Sequence, residues 1–163
     1  MGRGANRNFQ ERSGMIAFDI TASAGNKSTA SLVNKAADGQ TLLIESIYAM
    51  AFNSGGVDSK LSLDGVTEAT GSGGGWTMRS AGLSKKNLVT TVALPENKPE
   101  MYEQTGGGVG LVTKRVIFNV TNGLIVDMLG ISGSLIIEAG RALLIQTETV
   151  NTYLRGTVHY RVI

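Results

Sequence analysis

The chain of 163 residues has one imidazole available for chemistry, because His159 is its only histidine, and it has no cysteine. A nucleophilic triad needs an imidazole beside a nucleophile and an acid, and a histidine-based metal site usually needs a second imidazole. The two-residue period of a strand places His159 with Arg155, Thr157 and Arg161 on one polar face. We therefore predict that His159 lies at the surface or at an interface, and that the protein is not an enzyme and binds no cofactor.

The carboxylates of the chain are scattered rather than clustered. Asp58 and Asp64 fall on the outward side of one short predicted strand, but the Asp-x-Asp-x-Asp spacing of a calcium loop is absent. Glu96, Glu100 and Glu103 flank a predicted loop. A weak Ca²⁺ site stays open as an alternative, and the prediction is that no metal is bound.

Two glycine runs, Gly71–Gly75 and Gly106–Gly108, could suggest phosphate-binding loops. The first run is not followed by Gly-Lys-Ser/Thr, and the second is followed by a predicted strand rather than a helix. We expect both runs to form flexible hairpin tips that reorder on contact.

Short apolar runs separated by turn residues dominate the chain from Met15 onward, and no amphipathic helix of about ten or more residues stands out. Its 22 glycines and 2 prolines suit many turns. This pattern predicts an all-β fold, a sandwich or barrel. The predicted strands cover 15–20, 28–33, 41–53, 57–64, 88–94, 111–120, 124–129 and three segments of the block Leu135–Ile163, with turns that include Asp64-Gly65 and Ala139-Gly140-Arg141.

The longest run, Thr41–Asn53, is apolar on both sides, which suits a central strand covered on both faces or a strand at a subunit interface. Its two-residue period groups Leu42, Ile44, Tyr48, Met50 and Phe52 on one face, and Leu43, Glu45, Ile47, Ala49 and Ala51 on the other.

The same period assigns the inward residues of two other strands. In the run from Val57, the period places Val57, Ser59, Leu61 and Leu63 inward. In the last strand, it places Leu154, Gly156, Val158, Tyr160 and Val162 in the core, and Gly156 allows a close backbone approach.

The charge of the chain is low and uneven. Charged residues make up 17% of the chain and the net charge is +2. The first thirteen residues carry Arg3, Arg7 and Arg12 against Glu11, so the rest is formally neutral. We predict an extended N-terminal arm, 1–13, and one domain, 14–163. Two interpretations of the arm stay open, a disordered terminus and an arm that lies on a partner subunit. A neutral body argues against direct nucleic-acid binding.

Hydropathy and the N-terminal residues indicate where the chain is made. No run approaches the roughly 18 uninterrupted apolar residues that span a bilayer, so no membrane contact is predicted. No apolar segment follows Met1, so we expect no secretory signal and synthesis in a cytoplasm.

Trp76, the only tryptophan, follows the first glycine run. Two interpretations stay open. The ring could cap the core of the sandwich, or it could anchor a loop in a partner surface, where aromatic residues dominate binding energy.

Four segments carry a resemblance to a known family. Leu42–Tyr48, followed by a glycine-rich break and Lys60–Gly65, resembles strands of small jelly-roll structural proteins of tailed-phage virions. Ile137–Ile145, with its central Ala-Gly turn, and Leu154–Tyr160, with its central glycine, are similar to the closing strands of that pattern. The middle of the chain, 66–110, matches no part of it, and would determine which partner is bound.

The resemblance implies an antiparallel β-sandwich of jelly-roll type and a role as a decoration (cement) protein. Such a protein binds the major capsid protein on the outside of an icosahedral phage head, commonly as a trimer, and stabilises the capsid lattice. The residues that would contact partners are Arg3, Arg7, Arg12, Trp76, Arg155, His159 and Arg161. The expected location is the capsid surface of the virion, after synthesis in the host cytoplasm.

Two other classes stay open at this stage. One is a small jelly-roll coat subunit with an RNA-facing arm, although three arginines are few for neutralising packaged phosphates. The other is a carbohydrate-binding or receptor-binding module of a tail or head fibre, for which Trp76 would be the sugar-stacking residue.

Overall fold

The computed structural model of the chain describes residues 13–21, 24–73, 75–81, 83–84, 99–104, 116–130 and 134–163. They form two antiparallel sheets, each of six strands. Sheet I contains β1 (Ser13–Ile20), β3 (Leu42–Asn53), β6 (Leu83–Ser84), β9 (Ile125–Asp127), β10 (Leu135–Ile137) and β12 (Thr152–Val162). Sheet II contains β2 (Thr29–Asn34), β4 (Ser59–Thr67), β5 (Thr77–Ala81), β7 (Glu100–Gln104), β8 (Val116–Val120) and β11 (Arg141–Thr147).

Two short helical segments lie between strands. A 3₁₀ turn, Ala36–Asp38, ends at Gly39, whose φ of 62° is in the left-handed region that favours glycine. A single α-helical turn, α1 (Glu68–Ser72), begins at Thr67, whose side chain accepts a hydrogen bond from the backbone N–H of Thr70.

The strands pair in a nested order, with the first half of the chain folded against the second. β1 pairs with β12, β2 with β11, β3 with β10 and β4 with β8, all antiparallel. The order across sheet I is β10-β3-β12-β1-β6, and that across sheet II is β5-β7-β2-β11-β4-β8. Consecutive strands therefore alternate between the sheets over much of the chain, which holds the two sheets face to face.

The hydrophobic core lies between the two sheets. Sheet I contributes Ile16, Phe18, Ile47, Leu154 and Val158, among others, and sheet II contributes Leu32, Leu61, Met101, Leu143 and Ile145. The predicted inward face of the last strand is confirmed, because Leu154, Val158, Tyr160 and Val162 are all buried. The prediction of an all-β antiparallel sandwich is thus correct.

Buried polar groups connect the sheets at their ends. The Asn34 side chain in sheet II donates from Nδ2 to the Ile137 carbonyl oxygen of sheet I at 2.9 Å. Ser28, which precedes β2, donates from Oγ to the Thr152 carbonyl oxygen at 2.6 Å. Each bond satisfies a polar group that the core would otherwise leave unpaired.

The connection between β4 and β8 adds strands to both sheets. β6 pairs with the outer edge of β1, and β7 pairs with the outer edge of β2 and also with β5. Paired edges cannot recruit a foreign strand. The connection therefore covers β1 and β2, whereas β8 and β10 lie at the opposite edges of the two sheets.

The sequence prediction for this region was partly wrong. No strand was predicted between 95 and 110, but Glu100–Gln104 is strand β7, with Met101 and Glu103 buried. Gly71 was expected in a hairpin tip, but it lies in α1, buried against sheet II, where a side chain would collide with Ala142 and Ser31. Five residues of mixed polarity gave too short a pattern to identify the strand. The predicted strand at 88–94 and the run Gly106–Gly108 lie outside the described residues.

The face assignment within β3 was also wrong, because β3 contains a β-bulge. The register with β12 shifts between His159, which lies opposite Ser46, and Tyr160, which lies opposite Ile44. The extra residue reverses the alternation of every side chain that follows it. Leu42 and Ile44 are in the core before the bulge, and Ile47, Ala49 and Ala51 are in the core after it.

β4 differs from its prediction in two ways. It continues through the expected turn Asp64-Gly65 as far as Thr67, because both residues pair with β11. Asp64 was expected to face solvent but is buried, and Val57 was expected inward but is exposed. The outer side of sheet II is covered only in part along β4, because Ser62 and Asp64 are buried whereas Lys60 is exposed.

The predicted role of Gly156 is confirmed. A Cβ at this position would collide with the Tyr48 carbonyl oxygen and with the Phe18 ring. β3 and β12 can approach each other, and Phe18 can fill the core, only because this residue has no side chain.

We predict that Gly156→Ala lowers the free energy of unfolding by about 1–3 kcal/mol, because the backbone must shift to admit the methyl group. Chemical unfolding with urea would measure it. The matched control is Gly65→Ala, also within a strand, where a Cβ meets no atom within 4 Å. This control should be neutral or slightly stabilising. Equal losses for the two variants would contradict the role given to Gly156.

Candidate interaction surface

Among the residues that the structure describes, the surface with the most exposed large apolar side chains is the outer face of sheet I, the side turned away from the core. It is formed by Leu43, Tyr48, Met50 and Phe52 of β3, by Tyr153, Arg155, Thr157, His159 and Arg161 of β12, by Met15, Ala17 and Asp19 of β1, and by Ile125, Asp127 and Ile136 of β9 and β10. The bulge in β3 creates the apolar part of this face, since it turns Tyr48, Met50 and Phe52 outward.

Large apolar side chains are strongly exposed here. Ile125 is 71% exposed and Ile136 is 61% exposed, and the aromatic residues Tyr48 and Phe52 are 43% and 41% exposed. Ile125 lies beside Met50 in the strand pairing. An apolar patch of this kind, bordered by polar groups, is typical of an interaction site.

Aromatic contacts hold part of the face in place. The Tyr48 and His159 rings meet edge to face, with centroids 5.9 Å apart and planes at 86°. The Phe52 and Tyr153 rings are tilted, with centroids 6.0 Å apart. Such pairs contribute about 0.5–1.5 kcal/mol beyond area burial, so the rings are preorganised for contact with a partner.

The two arginines of this face are each neutralised by a carboxylate of a neighbouring strand. Arg155 Nε lies 2.7 Å from Asp19 Oδ1, and Arg161 Nη2 lies 2.5 Å from Glu45 Oε1. The sequence predicted a basic polar face along β12. With Asp127 included, the face carries two positive and three negative groups, so it is close to neutral rather than basic.

The structure brings only some of the predicted contact residues together. Arg155, His159 and Arg161 lie on the outer face of sheet I, as expected from their spacing. Trp76 is half-buried beside α1, where its Nε1 donates to the Thr70 carbonyl oxygen at 2.9 Å, and it is not part of the core cluster. It therefore does not cap the core. Arg3, Arg7 and Arg12 lie outside the described residues.

The sequence missed Ile125 and Ile136 as contact candidates. Both lie in three-residue strands, β9 and β10, whose alternation is too short to separate an inner from an outer face. Their pairing with β3 determines their side. Ile125 lies opposite Met50, after the bulge, and the bulge has no signal in a strand that is apolar on both faces.

In the part of the chain that the structure describes, no three His, Cys, Asp or Glu side chains are grouped so that they could hold a metal ion. Among the same residues, no helix has the length and hydropathy to cross a membrane. No family model and no curated protein sequence matches the chain.

A buried carboxylate lies between the two sheets, next to β1. Glu103 of β7 accepts a hydrogen bond from the Asp19 backbone N–H at 3.2 Å, and its other oxygen lies 2.9 Å from Arg79 Nε. Burial nevertheless raises the pKa of Glu103 above its ordinary value, because desolvation outweighs the Asp19 N–H and the Arg79 charge. Glu103 thus links the two sheets, but its ionised form is destabilised by the loss of water around the carboxylate.

This raised pKa predicts a pH-dependent effect of Glu103→Gln. The pKa of Glu103 is higher in the folded state than in the unfolded chain. The free energy of unfolding of the wild type therefore falls as pH rises through the folded pKa. The glutamine variant keeps an acceptor for Asp19 without the charge. We expect it to be more stable than the wild type at pH 7, by up to about 1 kcal/mol, and equally stable near pH 3. Urea unfolding at both pH values checks this. A wild type that is more stable at pH 7 would mean that the Arg79 pair dominates.

Proposed function

We propose that this protein is a structural virion protein of the decoration type, which binds the outside of an icosahedral phage head and stabilises the lattice of the major capsid protein. The observation that carries the proposal is the outer face of sheet I, where Tyr48, Phe52, Ile125 and Ile136 are exposed together. A preorganised apolar face on a rigid sandwich is suited to binding a protein surface, and the resemblance in sequence supplies the class of partner.

We propose further that the sandwich is a jelly roll. Two sets of pairings support this: β1-β12-β3-β10 within one sheet and β2-β11-β4-β8 within the other. A jelly roll has eight such strands in two Greek keys, and nested pairing of the two chain halves is its defining feature. β5, β6 and β7 are additions in the connection between β4 and β8, the part of the chain without a counterpart in the resembled family.

The neutral charge of the outer face favours a protein partner over a nucleic acid. Phosphate backbones are bound by clustered Lys and Arg side chains. Here Arg155 and Arg161 are paired with Asp19 and Glu45. A partner that buries the apolar side chains while it keeps these ion pairs at the rim matches the usual anatomy of a protein interface.

The proposal predicts specific binding to phage heads. Emptied heads lacking this protein, from the phage whose genome encodes it, would be mixed with the purified protein and sedimented. Saturable co-sedimentation is expected. Phe52→Ser combined with Ile125→Ser should weaken binding at least tenfold, because two exposed anchors are lost, about 1.4 kcal/mol or more.

Val57→Ser is the matched control for this experiment. Val57 is 56% exposed but precedes β4 and is not on the outer face of sheet I. It should bind as the wild type does, with a free energy of unfolding within about 0.5 kcal/mol of the wild type. The double variant should remain folded, with a free energy of unfolding lower by about 0.5–2 kcal/mol because it loses the Phe52–Tyr153 contact. Wild-type protein that does not bind heads at any concentration contradicts the proposed function.

The resemblance also predicts a homotrimer, since identical subunits commonly form closed symmetric assemblies. Multi-angle light scattering of the purified protein measures the mass directly. Three times the 17.1 kDa chain mass is the expected result. A monomer, together with an absence of head binding, would contradict both parts of the proposal.

A further inference from the structure

A cleft enters the core of the sandwich between the edge strands β8 and β10. It lies on the side of the sandwich away from the strands that cover β1 and β2. Its volume is about 410 Å³, within the range of roughly 300–1,000 Å³ that is common for small-molecule sites.

The walls of the cleft are mainly apolar and come from both sheets. They include Leu63, Phe118, Met128, Leu135 and Leu143. An engineered cavity of about 150 Å³ accepts benzene, so this cleft has room for roughly a dozen or more carbon atoms. Its volume and mainly apolar walls suit a single aliphatic chain.

Gly65 leaves part of this space empty. It lies in β4 opposite Leu143, and a Cβ built on it meets no atom within 4 Å. Its neighbours on the same side of β4 are large apolar residues such as Leu63, so a side chain at this position would project into the cleft. Because residue 65 is a glycine, this part of the cleft stays open, whereas a larger apolar side chain at this position would fill it.

One cation lies at the mouth of the cleft. Arg141 falls on the same side of β11 as Leu143, by the two-residue period, and is exposed. Asp64 falls on the opposite side of β4 from Gly65, and it contacts the Gly65 N–H through Oδ1 at 2.8 Å. Glu138, exposed and one turn before Arg141, is the other charged residue of the lining.

We infer that this cleft is a binding site for a single-chain amphiphile, whose aliphatic chain lies among the apolar walls and whose anionic head group meets Arg141. This site shares Ile136 with the outer face of sheet I but is otherwise lined by different residues, and it adds a ligand to a protein whose proposed function needs none. Each buried methylene contributes to affinity, and the polar head stays in water at the mouth.

Methyl NMR tests the inference on the wild-type protein, with dodecanoate below its micelle concentration as the probe. We expect saturable shifts of the Met128, Leu63 and Leu143 methyl signals, with a dissociation constant of roughly 1–100 μM. The Met50 methyl signal, on the outer face of sheet I, should not move. An absence of saturable shifts, or shifts at Met50 before Met128, would overturn the inference.

Two variants separate the parts of the site. Gly65→Leu should weaken dodecanoate binding at least tenfold while the unfolding midpoint stays the same or rises, because the side chain fills the cleft. Arg141→Gln should weaken dodecanoate binding about two- to fivefold, as expected for an exposed charge, and leave the affinity for dodecanol unchanged.

Ile125→Ser is the control, because it removes a large apolar side chain of the other surface, and it should bind dodecanoate as the wild type does. If Gly65→Leu folds and binds dodecanoate with unchanged affinity, the ligand lies elsewhere and the inference is wrong. The same titration on Arg141→Gln, a surface substitution, decides the contribution of the head group even if Gly65→Leu does not fold.

Discussion

The surface of this molecule depends on the register in which β3 pairs with β12. One extra residue in β3, at the bulge beside His159, moves Ile47, Ala49 and Ala51 into the core and turns Tyr48, Met50 and Phe52 outward. Without the bulge, alternation would place the aromatic rings between the sheets and leave the small alanines on the outside. β12 can lie this close because Gly156 has no side chain against Tyr48 and Phe18.

The nested pairing explains why the two ends of the molecule differ. β1 and β2 are covered by β6 and β7 from the connection between β4 and β8. Among the strands that the structure describes, none lies beyond β8 or β10 in the sheet order, and the cleft opens between these two. One sandwich therefore presents two apolar features, an exposed face formed by sheet I and a cleft lined by residues of both sheets.

Much of the fold follows from the sequence. The turn glycines Gly25, Gly39, Gly56, Gly123 and Gly140 all have positive φ, as their position between apolar runs implies. The core face of the last strand was predicted residue by residue, because eleven residues of clean alternation leave little ambiguity. The short strands β5, β6 and β7 were not predicted, because two to five residues carry no usable period and their place depends on pairing with β1 and β2.

The candidate surface was predictable only in part. Arg155, His159 and Arg161 were placed on one face by spacing alone, but their carboxylate partners come from other strands and could not be seen. The apolar half of the face was missed, since β3 is apolar on both sides and a bulge in such a strand leaves no trace in its pattern. Asp64 shows the same limit, because its burial depends on what covers sheet II rather than on β4 itself.

A cryo-electron microscopy map of the phage head with this protein bound tests the central claim most directly. The account predicts that the sandwich lies on the outside of the head, with the outer face of sheet I against a neighbouring protein, so that Tyr48, Phe52 and Ile125 are buried in the contact. A map in which the protein is present on the particle while that face is exposed to solvent would contradict the account.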